Sequence, residues 1–331
     1  GGAALDANTT ASNNTAVGYY ALLVNTTGTQ NVAVGAAALD ANTTGNENTA
    51  IGYAALTANT TAAGNTAVGW LAMAATTTGY ANVALGLSAL GVQTTGHQNV
   101  GIGFQSLDAV TTGSLNTAVG RSAGGAVTTG VNNTFVGGLA GDIATDGTGN
   151  TTLGYSADVG GGSAINRNAI GQGVNCQSNN RTAIGIGSNI ATLEADGSDT
   201  SWAASSDERL KENVVESTAG LSFINDLRPI TYNWKKAKDV PSDLPQYIDG
   251  SEDPCLGATY GTQLHGFIAQ EVKVVLDNHP EVKDGQGVWQ TDETTVQTLA
   301  PAALVPMLVK AIQEQTALIT ALTARIETLE G

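Results

Sequence analysis

The stretch NTAVGYYALLVNTTGTQ, residues 14–30, runs directly into NVAVGAAALDANTTGNE, residues 31–47, and then into NTAIGYAALTANTTAAG, residues 48–64. Each is one cycle of a seventeen-residue repeat. Glycine returns at every seventeenth position from Gly18 to Gly171, and asparagine leads the same units from Asn14 to Asn150. A second glycine lane runs from Gly28 to Gly147, interrupted at Ala62. Seventeen residues are too few for a helix-pair repeat and suit one coil of a parallel β-solenoid or β-roll, with two short strands and two glycine turns. The fold class expected is mostly β, a parallel β-roll over residues 1–190.

The lanes of the repeat assign faces. The residue before the glycine is always aliphatic (Val17, Val34, Ile51 and onward to Ile170), which reads as a continuous inner spine stacked at about 4.8 Å per rung. The residue before that is small (Ala16, Ala33, Ala50, Ala67), and alternation sends it to the opposite face, where a flat alanine stripe suits a subunit contact. The leucine lane (Leu22, Leu39, Leu56, then Met73) is expected to anchor the second strand. Asparagine and threonine columns suit hydrogen-bonded ladders along the axis. Ten rungs make a rod of roughly 45–50 Å.

Composition narrows the function. Charged residues are only 13% of the 331, glycine numbers 42 and the net charge is −16. Such acidity argues against nucleic acid and against an anionic membrane surface, both of which select clusters of Lys and Arg. No apolar stretch is long enough to span a membrane, and no signal peptide is visible. Cys176 and Cys255 have neither a CxxC spacing nor neighbouring histidines, so they read as unpaired thiols, with no metal site and no cofactor. The repeat begins in mid-phase at Leu5, which suggests a piece of a longer chain. Acids on the rod (Asp40, Glu47, Asp108, Asp142, Asp146, Asp158) share no lane and single out no catalytic pair. Tyr19, Tyr53, Trp70, Phe104 and Tyr155 adjoin the glycine lane as surface packing residues or as a platform for sugar.

The repeat unit resembles the NTAVG-type repeats of trimeric β-roll heads in trimeric autotransporter adhesins and some phage tail fibres. The resemblance covers residues 14–190 and implies a homotrimer. The period is longer than the family's commonest spacing, so loops on one face are expected to be extended.

After the repeat the chain changes character. Residues 191–206 read as a neck, and from Asp207 on 19 acidic and 10 basic residues leave −9 of the total charge. Residues 302–330 form a long helix in which Val305, Leu308, Ile312, Ile319, Leu322, Ile326 and Leu329 occupy the a and d positions of one heptad frame. That seam fits a coiled coil between subunits, or a helix packed on its own domain.

The succession SDERLKENV, LRPITYNW, HGFIAQEV and LVPMLVKAIQEQ, beginning near Ser205, resembles the endosialidase-type intramolecular chaperone auto-processing domain of phage tail fibres and tailspikes. The same module occurs in a membrane-tethered transcription factor, so the phage context rests on the β-roll upstream. Residues 207–331 are then a small α+β chaperone domain that trimerises, guides folding of the β-structure and cuts itself off. The resemblance implies a scissile bond between Ser206 and Asp207 and a Ser206–Lys211 dyad, a serine peptidase acting once on its own chain. Lysine serves as the base only if its pKa is drawn down by desolvation or a neighbouring cation. Attack by Ser206 on its own carbonyl would close a strained four-membered ring; action across subunits, or activation of water or of the Asp207 carboxylate, are the alternatives. His265 and the Gln270–Glu271 pair are candidates for polarising the carbonyl or positioning the lysine, against a reading in which that motif shapes the domain core.

The function expected is host attachment by a trimeric tail fibre or tailspike, placed on the virion and processed in the host cytoplasm, with a host surface polysaccharide or receptor as partner. The alternatives are a bacterial trimeric surface adhesin, a purely structural fibre and a polysaccharide depolymerase.

Overall fold

The structure is a computed structural model that describes residues 1–194, 203–204, 211–244, 246–256, 263–282, 288–291 and 297–330. The chain divides into two compact units, Gly1–Glu208 and Arg209–Gly331.

The first unit is a parallel solenoid. Each coil contributes one three-residue strand, from β1 (Thr15–Val17) through β8 (Thr134–Val136) and β9 (Thr151–Leu153) to β10 (Asn168–Ile170). Consecutive strands pair in parallel with seventeen-residue register, Ala16 opposite Ala33 and Val17 opposite Val34. The last step shortens: Asn168 of β10 pairs with Thr182 of β11 (Arg181–Ile186). There the chain reverses. β12 (Asn189–Glu194) returns antiparallel to β11, and β13 (Ala203–Ala204) pairs with β12, so residues 191–194 extend a strand at the start of the expected neck.

Two expectations are corrected. There is no second strand in the coil; the leucine lane lies in a turn and takes left-handed backbone angles, with φ of 50° at Leu22, 52° at Leu39 and 53° at Leu56. This turn still hydrogen-bonds from coil to coil, Leu22 N–H donating to Ala38 O at 3.0 Å and Leu39 N–H to Ala55 O at 3.0 Å. The two faces of the strand are also the reverse of those expected. Ala33, Ala50, Ala67 and Ala84 are fully buried against Leu22, Leu39 and Leu56, whereas Val17 is 57% exposed, Leu85 47% and Leu153 48%. The coil is too slender to hold two columns of large residues. Leucine fills it from the turn side, only a methyl group fits from the strand side, and the branched column is left on the outer face.

Buried asparagines hold the coils together. Asn31 donates its backbone N–H (2.9 Å) and its side-chain Nδ2 (3.2 Å) to Asn14 Oδ1, and the same Nδ2 donates to Gly45 O at 2.9 Å. The pattern recurs at Asn48, Asn82, Asn116, Asn133 and Asn150 and ends where Arg167 N–H donates to Asn150 Oδ1 at 3.0 Å. A second column links Asn42 to Asn25 (2.9 Å) and Asn59 to Asn42 (2.8 Å). It stops at Thr76, leaving Asn59 Oδ1 and Thr76 Oγ1 buried without a hydrogen-bond partner. Threonines add outer rungs, such as Thr43 Oγ1 donating to Thr60 O at 3.0 Å. Glycine before each turn is obligatory: Gly52 has φ of 137°, and a Cβ there would overlap the Gly69 carbonyl of the next coil.

One coil departs from the pattern and is compensated. Phe135 occupies the alanine lane and is fully buried, and the leucine lane beside it reads Gly124 and Gly141. A Cβ on Gly124 would lie 2.7 Å from the flexible end of Leu107 and 2.8 Å from the Phe135 ring, and one on Gly141 would overlap the ring. The aromatic ring thus fills the volume that leucines fill elsewhere. Phe135→Ala is expected to cost about 3–5 kcal/mol through the cavity it leaves. Gly124→Leu added to that variant is expected to recover much of the loss, because Leu107 already shows this turn position accepting leucine at φ of 51°. Gly124→Leu alone is expected to destabilise. Chemical unfolding of the three variants, followed by circular dichroism, measures the cycle.

Candidate functional site

The second unit is built around a core of Phe223, Leu227, Val272, Leu276, Val282, Val288 and Leu304. Its elements are α1 (Leu221–Asp226), β14 (Ile230–Tyr232), β15 (Leu264–Gly266), α2 (Ala269–Asn278), β16 (Trp289–Thr291), β17 (Gln297–Leu299) and α3 (Val305–Glu330). β14 pairs antiparallel with β15, and β16 with β17.

Ser206 and Asp207, the expected scissile pair, lie outside the described residues. Lys211 is exposed in a stretch, 211–219, that has no helix or strand. His265 stands on β15 opposite Thr231 of β14, with its side chain exposed, and Gln270 is exposed in the first turn of α2. Gly266 follows His265 because Tyr232 crosses the strand there; a Cβ would lie 3.1 Å from that ring. Glu271 is engaged elsewhere than with a lysine. It receives both arms of the Arg228 guanidinium, Nε to Oε2 at 2.9 Å and Nη2 to Oε1, and this hydrogen bonding holds its carboxyl below the ordinary range. The pair is solvent-exposed, so its stabilisation is small. Its role is to join the LRPITYNW motif to HGFIAQEV at the N-terminus of α2, where a carboxylate also suits the helix dipole. The same HGFIAQEV motif sends Val272 into the core, with Phe267 packed against it.

Two features had no signal in the reading of the sequence. Glu314, in the third turn of α3, accepts the Leu221 N–H at 2.8 Å and so caps α1 from ninety-three residues away. Gly220 allows this approach, since a Cβ there would overlap the Glu314 carboxylate. His279 is nearly buried at the end of α2, edge-on to Phe223 with ring centroids 5.4 Å apart. Its Nε2 meets Asp226 Oδ2 at 2.8 Å and its Nδ1 meets Glu281 Oε1 at 2.7 Å. Asp226 first and Glu281 second raise its pKa above the ordinary imidazole value, and burial opposes them. The heptad seam of α3 remains outside the core: Ile312 is 61% exposed and Leu322 60%, while Leu304 and Ala311 are buried and Met307 packs against the core from another face.

Among the described residues no group of three or more His, Cys, Asp or Glu is placed to hold a metal ion, and no helix is long and apolar enough to cross a membrane. Cys176 is buried and Cys255 half-buried, and both are free thiols. On the solenoid the aromatic residues after the glycine are exposed, and Tyr53 and Trp70 stack on one another at 6.4 Å between centroids.

Residues 206–279 match the family model of the chaperone of endosialidase, Peptidase_S74. Searches of curated proteins and of solved structures found no match. The family match and the parallel solenoid before it fit a tail fibre that carries a C-terminal chaperone domain.

The His279 geometry carries a pH dependence with a definite sign. A histidine whose folded pKa is raised stabilises fully below its unfolded value, about 6.5, and that contribution is lost as pH rises through the folded value. The difference in unfolding midpoint between the unmodified chain and His279→Asn is therefore expected to be largest at pH 6 and to shrink by pH 9. Thermal melts of both proteins across that range measure it.

Proposed function

We propose that this chain is the distal part of a homotrimeric phage tail fibre or tailspike that attaches to a host surface polysaccharide or receptor on the virion's behalf. In this reading its C-terminal unit aligns three chains, assists the coiling of the solenoid and then severs the Ser206–Asp207 bond. The observation that carries the reading is the chaperone family match placed directly after a parallel solenoid.

The trimer draws support from two unpartnered apolar surfaces. One is the outer face of the solenoid, where Val17, Ile51, Leu85 and Val119 form a column that is aliphatic at every rung and free of charge. The alanine lane, the face first assigned to subunit contact, is filled by the solenoid's own leucines. The other is the heptad seam of α3. Large contiguous exposed apolar faces mark sites of association. Coils that differ so little can mispair between chains at each seventeen-residue step, and non-local pairing is slow. A clamp at one end raises the local concentration of the partners and sets a common start.

Release then separates folding from unfolding, leaving the fibre under kinetic control. Cleavage is a hydrolysis that consumes one water: the water oxygen adds to the Ser206 carbonyl carbon and gives up a proton, the bond to the Asp207 nitrogen breaks, and that nitrogen takes up the proton, leaving a carboxyl group on Ser206 and an amine on Asp207. Lys211 is the proposed proton acceptor and Ser206 the proposed hydroxyl, with no turnover on other substrates.

Two measurements test the two halves. Denaturing intact mass of fresh protein is expected to give fragments of roughly 206 and 125 residues, whereas Ser206→Ala and Lys211→Ala stay whole. An uncleaved parent chain would make the C-terminal unit a permanent clasp. Sedimentation of the solenoid fragment is expected to give a trimer, and Leu85→Glu with Val119→Glu is expected to give a monomer of unchanged β-content, since both side chains already face outward.

A further inference from the structure

The solenoid ends in an unfilled space. Along most of its length the interior of each coil is packed by leucine from the turn and alanine from the strand. In the last coil the leucine lane reads Asn175 and the alanine lane Ala183, so neither supplies a large side chain. Between that coil and the β11–β12 hairpin lies a cavity of about 420 Å³. Its size falls within the roughly 300–1,000 Å³ of small-molecule sites.

Strand pairing fixes what faces this space. Ala183 of β11 is fully buried, and alternation along the strand puts Arg181 on the same face. On β12, Thr192 stands opposite Ala183 and Glu194 opposite Arg181, so they share that face, as does Ile190 two residues before Thr192. Cys176, only 1% exposed, closes the floor beside Ala183 and Ile190, its thiol donating to the Arg181 carbonyl at 3.3 Å. Asn175, Gln177, Arg181 and Thr192 supply the polar part of the wall. Two buried atoms of these residues have no hydrogen-bond partner: Arg181 Nε, a donor, and Asn175 Oδ1, an acceptor. Burying such atoms unpaired is costly, and a ligand that pairs with them recovers the cost.

We propose that this end cavity binds a neutral saccharide residue. The Arg181 guanidinium is paired with the Glu194 carboxylate through Nη2, so the wall carries both signs of charge and no excess of either. An ionic ligand of either sign would meet a like charge there. Hydroxyl groups suit the wall better, since each both donates and accepts and so serves an amide and a guanidinium N–H alike. The C–H face of a sugar ring suits the apolar floor of Cys176, Ala183 and Ile190. That this is where the fibre grips a host polysaccharide rests on the attachment proposal; the binding of a sugar does not.

Saturation-transfer NMR of the full chain with the methyl glycosides of glucose, galactose, mannose and N-acetylglucosamine is expected to show at least one of them bound. Glucuronate and glucosamine are expected to bind less well. Hydrogen exchange of the unmodified chain with the best glycoside is expected to gain protection in peptides spanning 173–192. Peptides spanning 53–104, where the exposed Tyr53, Trp70 and Phe104 stand, are expected to change little. Arg181→Lys keeps a charge opposite Glu194 but removes the Nε donor, and is expected to weaken binding about tenfold or more. Thr192→Trp, which fills the cavity, is expected to abolish it. Binding of none of the four glycosides would overturn the proposal, as would protection gained only outside 173–192, or undiminished binding by a folded Thr192→Trp. The exchange measurement on the unmodified chain decides the question even if a variant does not fold. A sugar held at 173–192 by protein that fails to bind cells displaying it would uphold the site and remove its role in attachment.

Discussion

A buried amide that must satisfy itself on its neighbours is the constraint on which the solenoid rests. Each asparagine of the main column sits out of water, where an unpaired polar group costs about 1–3 kcal/mol. It escapes that cost only if another asparagine lies one coil away and a backbone carbonyl lies fourteen residues on, Gly45 for Asn31 and Ala62 for Asn48. Both conditions hold at one spacing. The column therefore dictates the period as well as the stability, and it explains why glycine dominates the second lane: at Gly28, whose carbonyl accepts from Asn14 and Asn25, a Cβ would overlap Asn25 Oδ1 and the Gly45 carbonyl. Where the column ends, Arg167 closes the last acceptor with its own backbone N–H, and the coil shortens.

Period, parallel class and ladder chemistry were legible because each depends on a residue type recurring at a fixed step. The faces of the strand were not. Alternation says that Ala16 and Val17 point opposite ways and is silent on which way is in. The ordinary preference would bury valine, but the interior of this coil is already occupied by Leu22 and its successors, reached from a left-handed turn that no periodicity announces. The clue present in the sequence was volume: Phe135 appears in the alanine lane only where the leucine lane falls to glycine. Residues that compensate one another share a space, and read that way Phe135 would have identified the interior column.

In the C-terminal unit the order of motifs pointed to the module, while the roles of individual residues needed coordinates. Glu271 was a candidate either for supporting the cleavage or for shaping the domain, and it is bound by Arg228. His265 lies on an exposed strand position, and the histidine with strong partners is His279, whose acids come from distant points of the chain. Glu314 gave no sign in the sequence of capping a helix that begins at Leu221, because its heptad position marks it only as polar. Contacts of this kind are set by tertiary closure and leave no local pattern.

The hydrogen bonds of the solenoid run along its long axis, with one short strand and its turn per coil. Tension on that axis therefore loads them end-on, a coil at a time, and not in shear across a broad sheet. Each coil that peels away releases seventeen residues, an extension of about 55 Å at roughly 3.4 Å per residue less the height of the rung. A single chain so built is a soft sawtooth spring that absorbs work in equal steps. Any partner laid against the aliphatic column, which runs parallel to the load, would stiffen the solenoid along its axis.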